Sequence, residues 1–419
     1  MELTVYRQSF KTRPDGTVVY KGEDAVPYVD GSLLFVADGL GGAASIRHQK
    51  FLPELFDEER IMDALFEGVY EDYSNDTFVN YVVDSFYELF AVKDCYTDNV
   101  NNIKKSGYFA SRIVTAILLH EMLYGKEYTA SRIFEGLSAC EDEGAKSAYL
   151  STVGNYFRDL ISNKIKQIAK KANLIYESSY SGLALLGSTL CATIYFEREE
   201  CVEAIYLTAG DSRPYAWSEK NGLCQILADQ EGEDGGMTNY IKANDDANFD
   251  IRCNYFRFEK PCVLFNATDG CFDSAKFISQ MAFEKVILDA AISSEDTGDI
   301  CEQLTSFFAN YGRHDDSSTI AMKIFGYDTY GAFKSACINR MNELKREYLS
   351  KMEGLLDVDY TAVYHEYERA SSAQPQDLSF DEDINVLKEK SELQKSLFEG
   401  YDATYTMYMG GVNDDNSRI

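Results

Sequence analysis

The 419-residue sequence predicts an α+β fold, and three observations support this prediction. Two apolar runs, 33–37 and 262–267, each stop at an Asp-Gly pair, which is typical of a buried strand that ends in a turn. The runs 188–196 and 202–209 are separated by only a few residues, so they predict an antiparallel hairpin. Between residues 43 and 173, apolar side chains recur every three or four positions, which predicts helices.

The remaining elements follow the same signals along the chain. Residues 18–20 indicate a short early strand, and residues 318–325 form the last predicted strand. Two helical stretches, 275–291 and 295–311, precede that last strand. Beyond residue 326 the sequence is polar and helical, with one apolar stripe at a spacing of three or four residues: Phe333, Cys337, Met341, Leu344, Tyr348 and Met352. The stripe fits either a helix that packs on its own domain or a docking or pairing seam.

Composition places the chain among globular, enzyme-sized proteins. With 45% apolar residues it can bury a large core, which argues against intrinsic disorder. The 69 acidic and 40 basic residues give a net charge of −29, so a nucleic-acid backbone or an anionic membrane surface would repel the protein. The sequence shows neither a signal-peptide pattern nor a membrane-spanning run, so we expect a cytoplasmic location.

The content of cysteine and histidine limits the chemistry. The ten cysteines are scattered without a C-x-x-C pair, as expected of reduced core thiols, and four histidines are too few to suggest an imidazole-built metal site. Acidic residues, by contrast, recur where predicted strands begin or end: Glu23, Asp24, Asp38, Asp211, Asp269, Asp315 and Asp316. Gathered carboxylates repel one another unless cations neutralise them, and oxygen-only ligands select Mg²⁺ or Mn²⁺. The pattern predicts a multinuclear carboxylate–metal site.

Six short motifs lie at predicted strand boundaries in a defined order: Glu23-Asp24-Ala25, Asp38-Gly39-Leu40-Gly41-Gly42, Gly187-Ser188-Thr189, Gly210-Asp211-Ser212-Arg213, Ala267-Thr268-Asp269-Gly270 with Asp273, and Asp315-Asp316. Together they resemble the motifs of metal-dependent protein Ser/Thr phosphatases, the protein phosphatase 2C or PPM-type family, in its bacterial form. The resemblance covers residues 1–326. It implies a four-layer α-β-β-α sandwich of two antiparallel sheets flanked by helices.

The resemblance also implies an activity, the hydrolysis of phosphoserine and phosphothreonine in proteins, and a set of ligands. The ligands of two Mg²⁺ or Mn²⁺ ions would be Glu23, Asp38, the Gly39 carbonyl, Asp269 and Asp315, with Asp38 bridging both ions. Asp211 and Asp273 occupy positions where bacterial-type members hold a third ion. Asp38, Asp269 and Asp315 would act through water, because two cations lower the pKa of a shared water and the resulting hydroxide attacks phosphorus in line.

Two positions depart from the family pattern. The family commonly has a phosphate-binding Arg where this chain has Val19, and Lys21 is the nearest cation. Lys21 either binds the phosphate as a point charge, without the bidentate fork of Arg, or is a solvated surface lysine. Many eukaryotic members have His where this chain has Leu40, and His314 is the only histidine beside a motif. The proton donor would then be a metal-bound water or another group.

Two other interpretations were weighed against the phosphatase. Residues 33–44 match the G-x-G-x-x-A dinucleotide pattern, but Asp38 would face an anionic pyrophosphate and no strand ending in an acid follows at the required distance. The second alternative is a catalytically silent phosphatase-like protein that acts as a sensor or interaction module through its insertion and tail. Val19 in place of Arg is the best support for that alternative.

The predicted organisation is a phosphatase domain at 1–326, with a helical insertion at about 44–107 and a flap at about 229–260, followed by a helical extension at 327–419. The insertion serves either binding and regulation or an enlarged core. Because a charge of −29 repels acidic peptides, the expected substrate is a phosphoprotein with basic residues around the phosphate. We expect no nucleic-acid or membrane partner, whereas the insertion or tail could bind a partner protein or a second copy.

Overall fold

The computed structural model describes these residues of the chain: 4–8, 11–12, 18–19, 24–25, 28–30, 32–40, 79–80, 82, 106–171, 186–228, 230, 239–243, 248–272, 280–300, 303–304, 307, 319–346, 350, 355, 360–361, 363–365, 368 and 384–396. Within them the strands are β1 Thr4–Gln8, β2 Lys11–Thr12, β3 Val18–Val19, β4 Tyr28–Asp30, β5 Leu33–Val36, β6 Leu190–Glu197, β7 Cys201–Ala209, β8 Arg213–Ser218, β9 Gly222–Gln225, β10 Arg252–Glu259, β11 Cys262–Ala267 and β12 Thr319–Phe325. The helices are α1 Ser106–Tyr124, α2 Ala130–Ser138, α3 Glu143–Lys171, α4 Gln280–Ser293 and α5 Tyr330–Leu344.

Ten of these strands form two five-stranded antiparallel sheets, and β2 pairs with β3 separately. Sheet A has the order β1-β12-β11-β8-β9, and sheet B has the order β10-β7-β6-β5-β4. The predicted hairpin is β6–β7, in which Glu197 lies opposite Val202. The register sends alternate residues of each central strand to opposite faces, so both faces of each sheet become apolar and buried.

Four layers result from this pattern. The outer face of sheet B packs on helices α1, α2 and α3, with Ile194 among the residues buried in that cluster. The outer face of sheet A packs on α4 and α5 around Phe265. The inner faces of the two sheets pack on each other in a third cluster that includes Leu34 and Leu264. The predicted α-β-β-α sandwich of two antiparallel sheets flanked by helices is confirmed.

Asn266 on β11 joins the two sheets through their shared interior. Its side-chain oxygen accepts a hydrogen bond from the Thr193 hydroxyl at 2.9 Å. Its amide nitrogen donates to the carbonyl oxygens of Leu34 at 2.8 Å and Cys191 at 3.1 Å. A buried carboxamide with its polar atoms paired is directional, so it sets one sheet at a fixed position relative to the other.

Six strands were not anticipated from the sequence, namely β1, β2, β4, β8, β9 and β10. β10 lies in residues predicted as part of the flap, yet it pairs with β7 along its whole length from Arg252 to Glu259. It is an edge strand, and its charged side chains interrupt the apolar run that would have predicted a strand.

The helical extension begins inside the main fold. Phe333, Cys337, Met341 and Leu344 of the apolar stripe are buried in the cluster between sheet A and its helices. The stripe therefore packs on its own domain over α5. Most of the predicted insertion at 44–107 lies outside the described residues.

None of the helices that the structure describes is both long enough and apolar enough to cross a lipid bilayer.

Candidate carboxylate site

Two strands, one from each sheet, end at the same edge of the sandwich. β5 leads directly into Ala37 and Asp38, and β11 leads into Thr268 and Asp269. The amide of Ala25 donates to the carbonyl oxygen of Ala37 at 2.7 Å, which places the preceding Asp24 beside Asp38. The strands are rigid, so the acidic side chains at their ends are held in place while remaining near solvent.

The carboxyl groups of Asp24, Asp38 and Asp269 converge at this edge. The Asp38 carboxyl lies close enough to those of Asp24 and Asp269 for the charges of both to raise its pKa. Asp24 is only 1% exposed, whereas Asp38 and Asp269 keep partial contact with solvent. At such short separations the ionisation of one carboxyl group disfavours the ionisation of the others.

Burial and like charge raise the pKa values of this cluster. Burial is the main reason why the pKa of Asp24 rises to about 7. The pKa of Asp38 is raised well above its usual range by burial and then by the charges of Asp24 and Asp269. Ionising all three groups together is costly, and divalent cations would remove that cost.

The Thr268 hydroxyl connects the cluster to two further chain segments. It donates to Asp24 Oδ2 at 2.8 Å and accepts from the amide of Thr319 at 3.0 Å. Both Thr268 and Asp24 are about 1% exposed. Thr319 opens β12, so one hydroxyl holds Asp24, the end of β11 and the start of β12 together.

The backbone of Asp38 is held by the Gly187-Ser188-Thr189 motif. Thr189 Oγ1 accepts from the amide of Asp38 at 2.9 Å, and the amide of Thr189 donates to the Asp38 carbonyl oxygen at 2.8 Å. The Ser188 hydroxyl donates to the same carbonyl at 2.9 Å. The Thr189 hydroxyl also hydrogen-bonds to that of Ser212 at 2.7 Å, next to Asp211. The three motifs are therefore linked directly.

Helix α1 starts against the turn that follows Asp38. A Cβ atom on Gly107 would lie 2.6 Å from the Leu40 carbonyl oxygen and 2.8 Å from the Gly39 carbonyl carbon, so only glycine allows this approach. Helix α1 lies within the region 43–173 for which the sequence predicts helices, and it packs directly on the buried Gly39.

Asp211 lies in the turn between β7 and β8 and is 8% exposed. Gly210, just before it, has φ +102°, a conformation that side-chain-bearing residues rarely adopt. The Arg213 guanidinium lies 4.8 Å from the centre of the Phe272 ring, and Cys271 is a fully buried thiol.

The structure describes three of the predicted acidic ligands. Asp38 and Asp269 lie close together, and Ser212, next to Asp211, hydrogen-bonds to Thr189, which holds the Asp38 backbone. The other predicted side chains lie outside the described residues: Lys21, Glu23, Asp273, His314 and Asp315. Within the described part of the chain, no group of three or more His, Cys, Asp or Glu side chains has the arrangement of a metal centre.

Sequence reasoning underestimated several residues. Asp24 was predicted as one of the acidic residues near strand ends but not as an ion ligand, yet it is the most buried carboxyl of the cluster. Thr268 and Thr189 were noted as parts of motifs, without their roles as partners of Asp24 and Asp38. A signal was present, since a Thr or Ser next to an acid at a strand end is well placed to hydrogen-bond a neighbouring segment.

No family model matches this chain, and no curated protein matches it. Solved structures similar to it include the Ser/Thr phosphatase PstP/Ppp of Mycobacterium tuberculosis, with 14% identity, a TM-score of 0.41, and coverage of 78% of this chain and 100% of that one. The PstP catalytic domain in complex with two manganese ions has 16% identity and a TM-score of 0.38, covering 77% and 99%. Stp1 of Staphylococcus aureus has 14% identity and a TM-score of 0.41, covering 78% and 96%. Identities and TM-scores this low carry no argument about activity, which has to come from the carboxylate site itself. The structures similar to this chain are Ser/Thr phosphatases of the PPM type, the family that its sequence motifs resemble.

Proposed function

We propose that this chain is a divalent-cation-dependent phosphatase that hydrolyses phosphoserine and phosphothreonine in proteins. The observation that supports this function most directly is the contact of the Asp38 carboxyl with those of Asp24 and Asp269 at one edge of the sandwich. A protein without need of cations would gain nothing from such a cluster, because each ionised member destabilises the others.

The donor set fits hard divalent cations. Oxygen atoms from Asp38, Asp269, Asp211 and the Gly39 carbonyl are available among the described residues, and Glu23, Asp273 and Asp315 are proposed to complete the set. Mg²⁺ and Mn²⁺ prefer such oxygen ligands. When bound, two such ions lower the pKa of a water molecule and offset the charge of a phosphoryl group.

The protein contributes orientation to this chemistry. Thr189 and Ser188 hold the Asp38 backbone from two sides, so its carboxyl points in a fixed direction. Asp38 and Asp269 are partly open to solvent, which leaves room for a phosphate group. We propose that the −29 charge favours phosphopeptides with basic flanks, and that Lys21 binds the phosphate in place of the usual Arg.

The test is turnover of an aryl phosphate and a phosphothreonine peptide by the purified chain, with Mn²⁺, with Mg²⁺ and with EDTA. Activity should require the metal. Asp38→Asn and Asp269→Asn should each lower kcat/KM at least about 100-fold. Replacing a residue that only hydrogen-bonds to a metal ligand already lowers metal affinity or activity about 10- to 100-fold, and these two residues are proposed as ligands themselves. Asp289→Asn on the surface of α4 is the matched control and should retain full activity.

Thermal unfolding separates loss of function from loss of fold. In EDTA, Asp38→Asn should unfold at a higher temperature than the wild type, since one of three mutually repelling groups is removed. With Mn²⁺, the wild type should gain stability and Asp38→Asn should gain little. A wild type that neither binds Mn²⁺ nor turns over either substrate would refute the phosphatase and leave the silent scaffold.

A further inference from the structure

Gln230 connects the turn that contains Asp211 to a separate segment of the chain. Its side-chain oxygen accepts a hydrogen bond from the backbone N–H of Gly210 at 2.8 Å, and the backbone N–H of Gln230 donates to the Gly210 carbonyl oxygen at 3.2 Å. The same side-chain oxygen accepts from the Asn239 carboxamide. Gln230 is only 5% exposed, so these bonds form away from water, where the loss of a partner is costly.

Asn239 extends the connection to the start of β10. Its side chain donates to the Asp250 carbonyl oxygen at 2.8 Å and accepts from the Asp250 amide at 2.9 Å. Two residues further on, Ile241 exchanges backbone hydrogen bonds with Ser188 at 2.8 and 2.9 Å. The segment at 239–241 is therefore attached both to Gln230 and to the motif that holds Asp38.

These contacts connect the Asp211 turn to the backbone around Asp38 by two routes. Ser188 also bridges to Gly39, and the neighbouring Thr189 bonds to Ser212. Gly210 lies so near Thr189 that an added Cβ would come within 2.8 Å of the Thr189 methyl. The position of the Gly210 turn is thus determined from one side by Thr189 and from the other by Gln230.

We propose that Gln230 is a positioning residue that fixes Asp211 relative to Asp38 for cation binding. This inference rests on the proposed function and adds a residue that none of the sequence motifs contains. Gln230 touches no reacting group, so it acts through the Gly210–Asp211 backbone. Residues that orient metal ligands in this indirect way typically change metal affinity about 10- to 100-fold when they are replaced.

The test is Gln230→Met, which keeps the side-chain length and removes the accepting oxygen. Mn²⁺ binding is measured by calorimetry without substrate, and kcat and KM are measured over a range of Mn²⁺ concentrations. In Gln230→Met we expect the dissociation constant of the weakest Mn²⁺ site to rise about tenfold or more. The activity that is lost should return at high Mn²⁺ concentration. The matched control is Gln394→Met, because the buried Gln394 also bonds two backbone groups, those of Tyr360 and Leu355.

If Gln230 has only a structural role, Gln230→Met and Gln394→Met should lower the unfolding temperature equally, and both should bind Mn²⁺ with the wild-type affinity. That result would overturn the inference. Asn239→Leu approaches the same contact from the other side, and is informative if Gln230→Met folds poorly. Its effect on Mn²⁺ affinity should not add to that of Gln230→Met in the double variant. If the wild type binds Mn²⁺, and Gln230→Met and Asn239→Leu bind it with the wild-type affinity, only this inference fails. If the wild type binds no Mn²⁺, the proposed function fails and the inference fails with it.

Discussion

Replacing Thr268 by valine removes one hydroxyl that serves two buried partners. Asp24 Oδ2 loses its donor at 2.8 Å, and the Thr319 amide loses its acceptor at 3.0 Å. Asp24 keeps its other partners, so it loses one hydrogen bond, worth about 0.5–1.5 kcal/mol, whereas the buried Thr319 amide left without this acceptor costs about 1–3 kcal/mol. The two together predict a loss of about 1.5–4.5 kcal/mol in the free energy of unfolding. Valine has the shape of threonine, so no cavity contributes to this loss.

Thr268→Ser is the matched variant, because it keeps the hydroxyl and removes only a methyl group. Its expected loss is about 1 kcal/mol. Urea unfolding in EDTA, followed by the fluorescence of Trp217, compares the two variants with the wild type. Trp217 suits this purpose because it is the single tryptophan and is buried in sheet A.

The effect should also depend on pH with a defined sign. The hydrogen bond from Thr268 lowers the pKa of Asp24, so it favours the ionised carboxylate. The pKa of Asp24 is about 7, so the group is mostly protonated at pH 5.5 and mostly ionised at pH 8. The valine variant should therefore lose more stability at pH 8 than at pH 5.5. Equal unfolding of the valine and serine variants at both pH values would refute the reasoning.

Three further predictions concern the same region. Burial raises the pKa of Asp24 from 3.8 to about 7, so the folded metal-free protein binds protons that the unfolded chain releases, and it loses stability as pH rises across that interval. Because Mn²⁺ competes with these protons, the increase in unfolding temperature that Mn²⁺ gives relative to EDTA should grow from pH 5.5 to pH 8. An increase that shrinks over this range would contradict the prediction. Asn266→Leu removes three hydrogen bonds to sheet B and should cost about 2–5 kcal/mol in urea unfolding, so a loss below about 1 kcal/mol would show that the link between the sheets is weak. Gly107→Ala would place a Cβ 2.6 Å from the Leu40 carbonyl oxygen and should reduce stability by about 1–3 kcal/mol and weaken Mn²⁺ binding. Gly331→Ala, whose Cβ would have its nearest neighbour at 3.8 Å, is the control and should be neutral or slightly stabilising.

The elements that the sequence predicted well are those with a strong local pattern. β5, β11 and the β6–β7 hairpin are apolar runs that end at turn residues, and each lies within a residue or two of its expected bounds. α1 lies in the region where helices were predicted. β1, β2, β4, β8, β9 and β10 were not predicted. Four of them, β1, β4, β9 and β10, are the edge strands of the two sheets, where the local apolar pattern is weak.

The candidate site was predicted by residue type and order, but its contacts were not. Asp38 and Asp269 were predicted as ligands of neighbouring ions; they lie close together at one edge of the sandwich, and their role as ligands stays a prediction. The central position of Asp24 and the role of Thr268 were not expected, because the two residues are 244 positions apart in the chain and only the packing of two sheets brings them within 2.8 Å.

The sequence by itself predicted six of the twelve strands that the structure describes, where those strands end, and that the acidic residues at those ends suit a hard cation. These properties are local, since they depend on the alternation of apolar residues and on the turn chemistry beside them. Only the tertiary structure decided which of the acids touch, which hydroxyls hold them, and that Gln230 joins the Asp211 turn to the segment at 239–241. Such contacts form only after the apolar faces of the two sheets and the helices have packed, and the hydrophobic effect that packs them has no preferred direction. A few directional hydrogen bonds then select one arrangement among those that the packing allows.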